Sequence, residues 1–281
     1  MHPNLRARAQ QQQRVRRRVA QSDAYAFFNI LTSPELLEQV EARLPEHRER
    51  RFPPTETLSM FLSQALSEDR SCQRAVDEMA VKRLIGNLPR VSTHTGGYCR
   101  ARQRLPLTLP AALVRYSGRR MSERLPAAWC WRGHPVRLVD GTTLSMPDTA
   151  ANQSRYPQPC NQQPGLGFPR CRLVGLICLG SGAVLDAALG AYSGKGHDEP
   201  SLFRGLLDTL KPGDRVLGDA YYASFFLLCA LQKRAVEAGF EQQGARRRST
   251  DFRCGRRLGA RDHRIELRKP ALRPDWMTPA Q

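Results

Sequence analysis

Apolar residues recur every three to four positions through the first part of the chain, which is the spacing of an amphipathic helix. One helix is predicted after the Ser-Pro-Glu sequence at residues 33–35, because serine caps a helix and proline and acid favour its first turn. A second helix is predicted from Thr55, and a third covers residues 75–80. The spacing therefore predicts a helical amino-terminal domain over residues 25–125.

After this helical segment the pattern changes to the alternation of apolar and polar residues that is typical of strands. A first strand is predicted over residues 136–146. Two more, over residues 172–179 and 183–192, form a hairpin around the turn at residues 180–182. The hairpin approaches the length of a membrane span, but its glycine turn and the charge of Asp186 indicate two strands, so no membrane partner is expected.

The elements that follow have a recognisable order. A long polar loop is predicted over residues 147–170, between the first strand and the hairpin. After the hairpin, Asp198 caps a helix that ends at residues 211–213, a strand covers residues 215–219, and a helix runs over residues 225–238. Strand, hairpin, helix, strand and helix is the order of a ribonuclease H-like domain, in which three antiparallel strands precede a helix and a parallel fourth strand.

The charge of the chain is strongly positive and unevenly distributed. Lysine and arginine total 44 against 26 acids, which gives a formal net charge of +18 and a pI near 10.4. The arginines concentrate in an arm over residues 1–24, predicted to be unfolded when free, and in residues 246–273. Such clusters favour binding to the phosphates of a nucleic acid, which we expect to be double-stranded DNA in view of the resemblance described below. The alternatives are a solvated surface for the arginines and a flexible turn for Lys195, which stands between two glycines. The candidate DNA-binding residues are Arg16, Arg17, Arg18, Lys195, Arg246, Arg247, Arg248, Arg256 and Arg257.

The cysteines and the amino terminus indicate the compartment. The eight cysteines are scattered and form no C-x-x-C pair, so neither a zinc knuckle nor a disulfide framework is indicated. The amino terminus lacks the apolar stretch of a secretory signal. The protein is therefore expected to be cytoplasmic and to associate with the nucleoid.

Two aspartates stand on strands that are predicted to be neighbours. Asp140 lies in the carboxyl half of the first strand, and Asp219 ends the fourth. Neighbouring parallel strands would bring both carboxylates to one position across the sheet. Carboxylate oxygens are the ligands that Mg²⁺ and Mn²⁺ favour, and a pair of such ions catalyses phosphodiester cleavage. The alternatives are a cap or solvated surface role for Asp140 and a turn role for Asp219.

Several short segments around and beyond both aspartates carry a further signal: residues 139–149, 152–153, 156–158, 164–169, 194–196, 212–214, 218–222, 251–253, 255–259, 261–263, 269–270 and 274–277. These segments resemble the insertion-element transposases of the IS-four type, which carry a DDE catalytic domain on a ribonuclease H-like fold. The resemblance implies that Asp140 and Asp219 are catalytic ligands for Mg²⁺ or Mn²⁺. It also implies hydrolytic nicking at element ends and attack of the freed 3′ hydroxyl on target DNA, within a homo-oligomeric complex.

The chain departs from this family in two places. Ala220 stands where the family usually has an arginine after the second aspartate. The third acid of the family belongs to a Tyr-x2-Arg-x3-Glu-x6-Lys motif, which is not found after Asp219, so the chain is expected to be a copy that stops before it. Tyr116, Arg119 and Glu123 match part of the motif but precede both aspartates, and we interpret them as an ordinary amphipathic helix.

Three later acids, Glu237, Glu241 and Glu266, lack the motif around them.

The order of the predicted elements and the missing motif together predict a mixed α/β (α+β) fold, in which a helical domain precedes an incomplete ribonuclease H-like domain over residues 130–281. Residues 240–281 are predicted to begin a basic, strand-rich insertion. The predicted function is metal-dependent DNA cleavage and strand transfer, at a low rate without the third acid. The alternative is a catalytically inactive DNA-binding remnant that occupies element ends.

Overall fold

The structure is a computed structural model, and it describes residues 42, 44, 52–163, 165–241, 255–260, 262–267 and 269–277. The chain divides into two compact units, residues 1–113 and 114–281. The basic arm over residues 1–24 and the start of the helix predicted after residues 33–35 lie outside the described residues. The domain boundaries predicted from the sequence stay predictions.

Three helices of the first unit share one apolar core. α1 (Pro54–Leu66) contains the predicted helix start and has a proline in its first turn. α2 (Cys72–Ile85) is capped by Ser71, whose hydroxyl accepts the Arg74 N–H at 3.1 Å. α3 (Thr95–Gln103) completes the group. The buried residues of this core are Phe52, Met60, Ala75, Val76, Met79, Tyr98 and Ala101.

The second unit contains a five-stranded sheet with the order β3-β2-β1-β4-β5. β1, β2 and β3 pair in antiparallel fashion, whereas β4 and β5 run parallel to β1. This mixed sheet confirms the predicted fold class and is consistent with a ribonuclease H-like domain. The strands are β1 (Val136–Ser145), β2 (Arg170–Cys178), β3 (Val184–Ala191), β4 (Arg215–Gly218) and β5 (Glu237–Phe240).

The core of this unit lies on one face of the sheet. Val139, Val174 and Leu176 from β1 and β2 are buried there, because alternate strand residues share a face. They pack with apolar residues of α6 (Glu199–Arg204) and of α7 (Phe225–Gln232). Burial of this apolar stripe is what places both helices against the sheet.

A further helix, α4 (Thr108–Glu123), begins in the first unit and ends in the second. In the second unit it packs closely on β3, because Gly118 has no side chain and an added Cβ would overlap the Val184 carbonyl oxygen. Arg115 of α4 donates from Nε to Oδ2 of the buried Asp186 at 2.8 Å. The negative charge of Asp186, which lies within the predicted hairpin, is therefore paired with the positive charge of Arg115.

The structure corrects three element predictions. The helix predicted over residues 225–238 ends at Gln232, and its last residues lie in β5, which pairs with β4 from Arg215 opposite Glu237. The helix predicted up to residues 211–213 ends at Arg204 and continues only as the 3-10 turn Leu207–Thr209. Pairing with a neighbouring strand overrides the helical preference of a short Glu-Ala sequence in the first case.

The third correction concerns the predicted polar loop, which contains a short helix, α5 (Ala150–Arg155). Its cap is Thr149, whose hydroxyl accepts the Asn152 N–H at 3.2 Å.

Near the carboxyl end, β6 (Arg256–Gly259) and β7 (Asp262–Arg264) form a separate two-stranded sheet. Among the described residues, no helix is both long and apolar enough to cross a membrane.

The amino-terminal cap of α6 gives a first prediction about stability. Asp198 accepts the Ser201 N–H at 2.9 Å and the Ser201 hydroxyl at 2.7 Å. Burial alone would raise the pKa of Asp198, but the two Ser201 hydrogen bonds, a hydrogen bond to the backbone of Asp198 and the Arg204 charge together lower the pKa below its ordinary value of 3.8. Replacing Asp198 with alanine is expected to lower the free energy of unfolding by about 1 kcal/mol, whereas asparagine retains an acceptor.

The pH dependence of this effect follows from the direction of the pKa shift. Because the folded pKa lies below the unfolded value, the ionised cap stabilises the fold above pH 3.8 and loses its advantage as the pH falls through the folded pKa. Urea unfolding of the wild-type chain and of Asp198→Ala, at neutral pH and below pH 3.8, measures this. An equal difference between the two proteins at both pH values would contradict the cap.

Candidate active site

Asp140 occupies the position on β1 at which burial gives way to exposure. The residues before it are buried or half-buried, whereas Asp140 itself is exposed. Its Oδ1 accepts the N–H of Gly141 at 2.8 Å, which orients the carboxylate. Among the described residues, none donates a hydrogen bond to its second oxygen.

Asp219 directly follows β4, the strand that pairs with β1. The parallel register places Leu138 opposite Leu217. The same register, continued by two residues past these positions, sets Asp140 level with Asp219. Asp219 is exposed, and its Oδ1 accepts the Tyr221 N–H at 2.8 Å. The sequence predicted this juxtaposition, and the structure brings the two residues to adjacent strands. Their catalytic role stays a prediction.

A buried ion pair fixes the two strands at their amino ends. Arg137 of β1 contacts Oδ1 of Asp214, just before β4, from Nε at 3.0 Å and from its terminal nitrogen at 2.9 Å. Both side chains are at most 6% exposed. Oδ2 of Asp214 accepts the Lys211 N–H at 2.9 Å, and Arg137 also donates to the Ser122 hydroxyl at 2.8 Å. Both the Asp214 carboxylate and the Arg137 guanidinium therefore have a hydrogen-bond partner besides each other.

Glu199 is a residue near the site that the sequence assigned only to a helix start. Its carboxylate rests against Gly141, where an added Cβ would overlap it. The Tyr222 hydroxyl donates to Glu199 Oε2 at 3.2 Å, and Arg172 Nε lies 3.9 Å from Oε1. A glycine next to Asp140 and a tyrosine three residues after the second aspartate were the only sequence signals for this contact.

The Tyr222 hydroxyl lies in a negative environment. Burial raises the pKa of Tyr222 far above its ordinary value, and Glu199, then Asp140 and Asp219, raise it further because they disfavour a phenolate. The hydroxyl therefore remains protonated and donates its hydrogen bond throughout the physiological pH range. Both aspartates therefore act electrostatically on the Tyr222 hydroxyl.

The other acids considered from the sequence lie elsewhere or have other partners. Glu237 of β5 pairs with Arg215 at 3.0 Å. Glu241 follows β5 and is exposed, and its N–H donates to the Gly218 carbonyl at 3.2 Å, which places its backbone beside the end of β4. Glu266 is exposed after β7. Glu123 lies in α4 and pairs with Lys211 at 3.5 Å.

The donor chemistry of the two aspartates fits a hard divalent cation. Carboxylate oxygens are ligands that Mg²⁺ and Mn²⁺ favour, and each carboxylate is oriented by one backbone N–H. Within the part of the chain that the structure describes, no three His, Cys, Asp or Glu side chains are grouped closely enough to hold a metal ion. Metal binding by the two aspartates therefore stays a prediction.

The candidate DNA-binding residues are only partly described. Lys195 is 97% exposed in a glycine turn and lies 3.7 Å from Asp275. Arg256 and Arg257 are exposed on β6, where they stand opposite Arg264 and His263. The remaining predicted residues, Arg16, Arg17, Arg18, Arg246, Arg247 and Arg248, lie outside the described residues.

The mixed five-stranded sheet is consistent with an α/β domain of the ribonuclease H-like class. Comparison with known proteins assigns the family. The family model of the transposase DDE domain matches residues 131–273, just over half of the chain. The chain therefore belongs to the transposase DDE domain family. No curated protein matches the chain significantly.

Among solved structures, the chain is similar to a piggyBac transposase synaptic complex with hairpin DNA. The identity is 14% and the TM-score 0.35. The match covers 81% of this chain and 43% of the piggyBac chain. The chain thus spans less than half the length of that transposase.

Proposed function

We propose that the chain acts as an insertion-sequence transposase of the IS-four type, which binds double-stranded DNA at element ends and catalyses cleavage and strand transfer. The observation that carries the proposal is the parallel pairing of β1 with β4, because β1 carries Asp140 midway along its length and Asp219 directly follows β4. Membership of the DDE domain family supports it. The active complex is a homo-oligomer on element ends and target DNA, in the cytoplasm at the nucleoid.

In this proposal Asp140 and Asp219 hold Mg²⁺ or Mn²⁺. When bound, the cation supplies charge stabilisation for in-line displacement at a phosphodiester. The contribution of the chain is positional: Gly141 and Tyr221 donate backbone N–H groups to one oxygen of each carboxylate, so that both are oriented before DNA arrives. Lys195, Arg256 and Arg257 are exposed and contact the DNA backbone.

One observation favours a second function, a DNA-binding remnant without catalytic activity. A third acid does not join the two aspartates within the part of the chain that is described. Mg²⁺ prefers near-octahedral oxygen ligation, and two carboxylates satisfy only part of it. Such a protein would occupy element ends through its arginines and would need no metal to do so.

Incubation of the chain with an element-end duplex in Mg²⁺ and in Mn²⁺ separates these two functions. Nicking above the level of Asp140→Ala, and lost in chelator, supports the transposase. Retention of the duplex in a mobility shift without any nicking, unchanged by chelator, supports the DNA-binding remnant. Asp77→Asn is the matched control, because this exposed aspartate of α2 bonds only Gln73 in the described structure.

DNA binding itself gives a prediction that does not depend on catalysis. The affinity for duplex DNA is expected to fall steeply with salt, with a log–log slope of about −0.9 per phosphate neutralised. Replacing Arg246, Arg247 and Arg248 with alanine is expected to flatten the slope by up to about 2.7. Arg234→Ala is the control, because Arg234 pairs with Asp208 at 3.0 Å. An unchanged slope in the triple variant would show that these arginines are solvated surface.

A further inference from the structure

The two aspartate-bearing segments are joined on the core face of the sheet. Residues directly opposite each other on paired strands share a face, and successive residues alternate. Gly141 stands opposite the buried Val174, so it belongs to the core face, whereas Asp140 stands opposite Gly175 on the other face. The Glu199 carboxylate that rests against Gly141 therefore lies behind Asp140 rather than beside it.

Tyr222 makes the corresponding contact behind Asp219. Its side chain is fully buried, and its ring lies 5.6 Å from that of Phe203 and 6.1 Å from that of Phe240. The ring also packs on Gly218, where an added Cβ would lie 3.1 Å from Tyr222 Cδ2. The Tyr222 N–H donates to the Asp219 carbonyl at 3.3 Å. The ring is thus immobilised, and its backbone is tied to the second aspartate.

The hydrogen bond from the Tyr222 hydroxyl to Glu199 Oε2, at 3.2 Å, connects these two sets of contacts. One end of the connection rests on the residue after Asp140, and the other on the turn that contains Asp219. β4 is only four residues long, so β4 pairing alone gives the Asp219 turn little support. The connection adds support where the short strand ends.

We propose that Glu199 and Tyr222 are positioning residues, which hold the Asp219 turn against β1 and thereby set the separation of the two aspartate carboxylates. This inference rests on the proposed role of Asp140 and Asp219 as ligands of one divalent cation. Glu199 acts through Gly141 and Tyr222 and does not itself bind the cation. Residues of this kind behind metal ligands change metal affinity by about ten- to a hundredfold when they are replaced.

The test is a calorimetric titration of the full chain with Mn²⁺ alone. Tyr222→Phe retains the ring and removes only the hydroxyl, and we expect it to weaken Mn²⁺ binding by about tenfold. Gly141→Ala displaces the Glu199 carboxylate, which is the far end of a flexible side chain, and is expected to weaken binding to a similar degree. Glu199→Gln retains an acceptor for Tyr222 and is expected to rescue most of the affinity that Glu199→Ala loses.

Tyr98→Phe is the matched control for a lost tyrosine hydrogen bond. Tyr98 is also fully buried, and its hydroxyl donates to Gln64 Oε1 at 2.7 Å in the helical unit. Its pKa is raised to about 12, mainly by burial, so it too remains protonated at neutral pH. We expect Tyr98→Phe to bind Mn²⁺ as the wild-type chain does. Circular dichroism melts show whether each variant is folded under the titration conditions.

Three outcomes would overturn the inference, and each is distinct from failure of the proposed function. Equal Mn²⁺ affinity of Tyr222→Phe and the wild-type chain would mean that the hydrogen bond positions nothing. A loss in Glu199→Gln as large as that in Asp140→Asn would make Glu199 a ligand instead. An equal loss in Tyr98→Phe would indicate a general effect on stability. If Asp140→Asn and Asp219→Asn bind Mn²⁺ normally, the proposed metal site itself is wrong.

Discussion

Replacing Asp214 with alanine is expected to lower the free energy of unfolding by about 3–5 kcal/mol, because it leaves the Arg137 guanidinium buried without its partner. Both side chains of this pair are nearly inaccessible to solvent, and the pair joins β1 to the turn that precedes β4. Asp214→Asn retains an acceptor for the Lys211 N–H and is expected to lose less than alanine.

An exposed pair of the same residue types provides the control. Asp208 pairs with Arg234 at 3.0 Å, but its side chain is 93% exposed, so Asp208→Ala is expected to change stability by less than about 1 kcal/mol. Tryptophan emission during urea unfolding reports on the unit that contains both ion pairs, residues 114–281, because this unit also contains Trp129, Trp131 and Trp276. Equal losses in Asp214→Ala and Asp208→Ala would show that burial of the ion pair has no consequence.

Asp219→Asn and Asp140→Asn are each expected to weaken Mn²⁺ binding by more than about a hundredfold, since loss of a direct ligand exceeds the effect of an outer contact. The amide keeps the shape of the side chain and its acceptor for the backbone N–H, so the loss is one of charge and ligand strength. Calorimetric titration with Mn²⁺ measures the affinity, with Asp77→Asn as the control.

The double variant adds a test of whether the two aspartates share one ion. If they do, Asp140→Asn combined with Asp219→Asn loses little beyond either single variant, because the first replacement already removes the site. Losses that add would mean two independent sites. Mn²⁺ affinity unchanged in either single variant would contradict the role of that residue as a ligand.

Much of the fold was predictable because its signals are local. Alternation over β1, β2 and β3 predicted those strands to within two residues, since a half-buried strand must place apolar side chains on one face. The cap at Asp198 starts a helix through a hydrogen bond that spans three residues. The place of Asp140 and Asp219 followed from these strands, because the register of parallel neighbours is set by the same alternation.

Other features depended on partners distant in sequence. The segment Glu237–Phe240 is a strand only because β4 offers it a parallel edge, and nothing in its own composition indicates a strand. The Arg137–Asp214 pair joins residues 77 positions apart, and an alternating pattern alone would place arginine on the solvent side.

By itself, the sequence determined the order of β1 to β4 and the start of the helix before β4, the two aspartates and the placement of basic charge, because each depends on side chains within one turn or one strand. The tertiary structure alone decided the role of Glu199. As a sequence, Asp-Glu-Pro marks a helix start, and that helix does begin at Glu199. Only packing of α6 on the sheet brings the Glu199 carboxylate against Gly141 and within reach of the Tyr222 hydroxyl, 23 residues further on, because burial of the apolar face of α6 sets where its first turn lies.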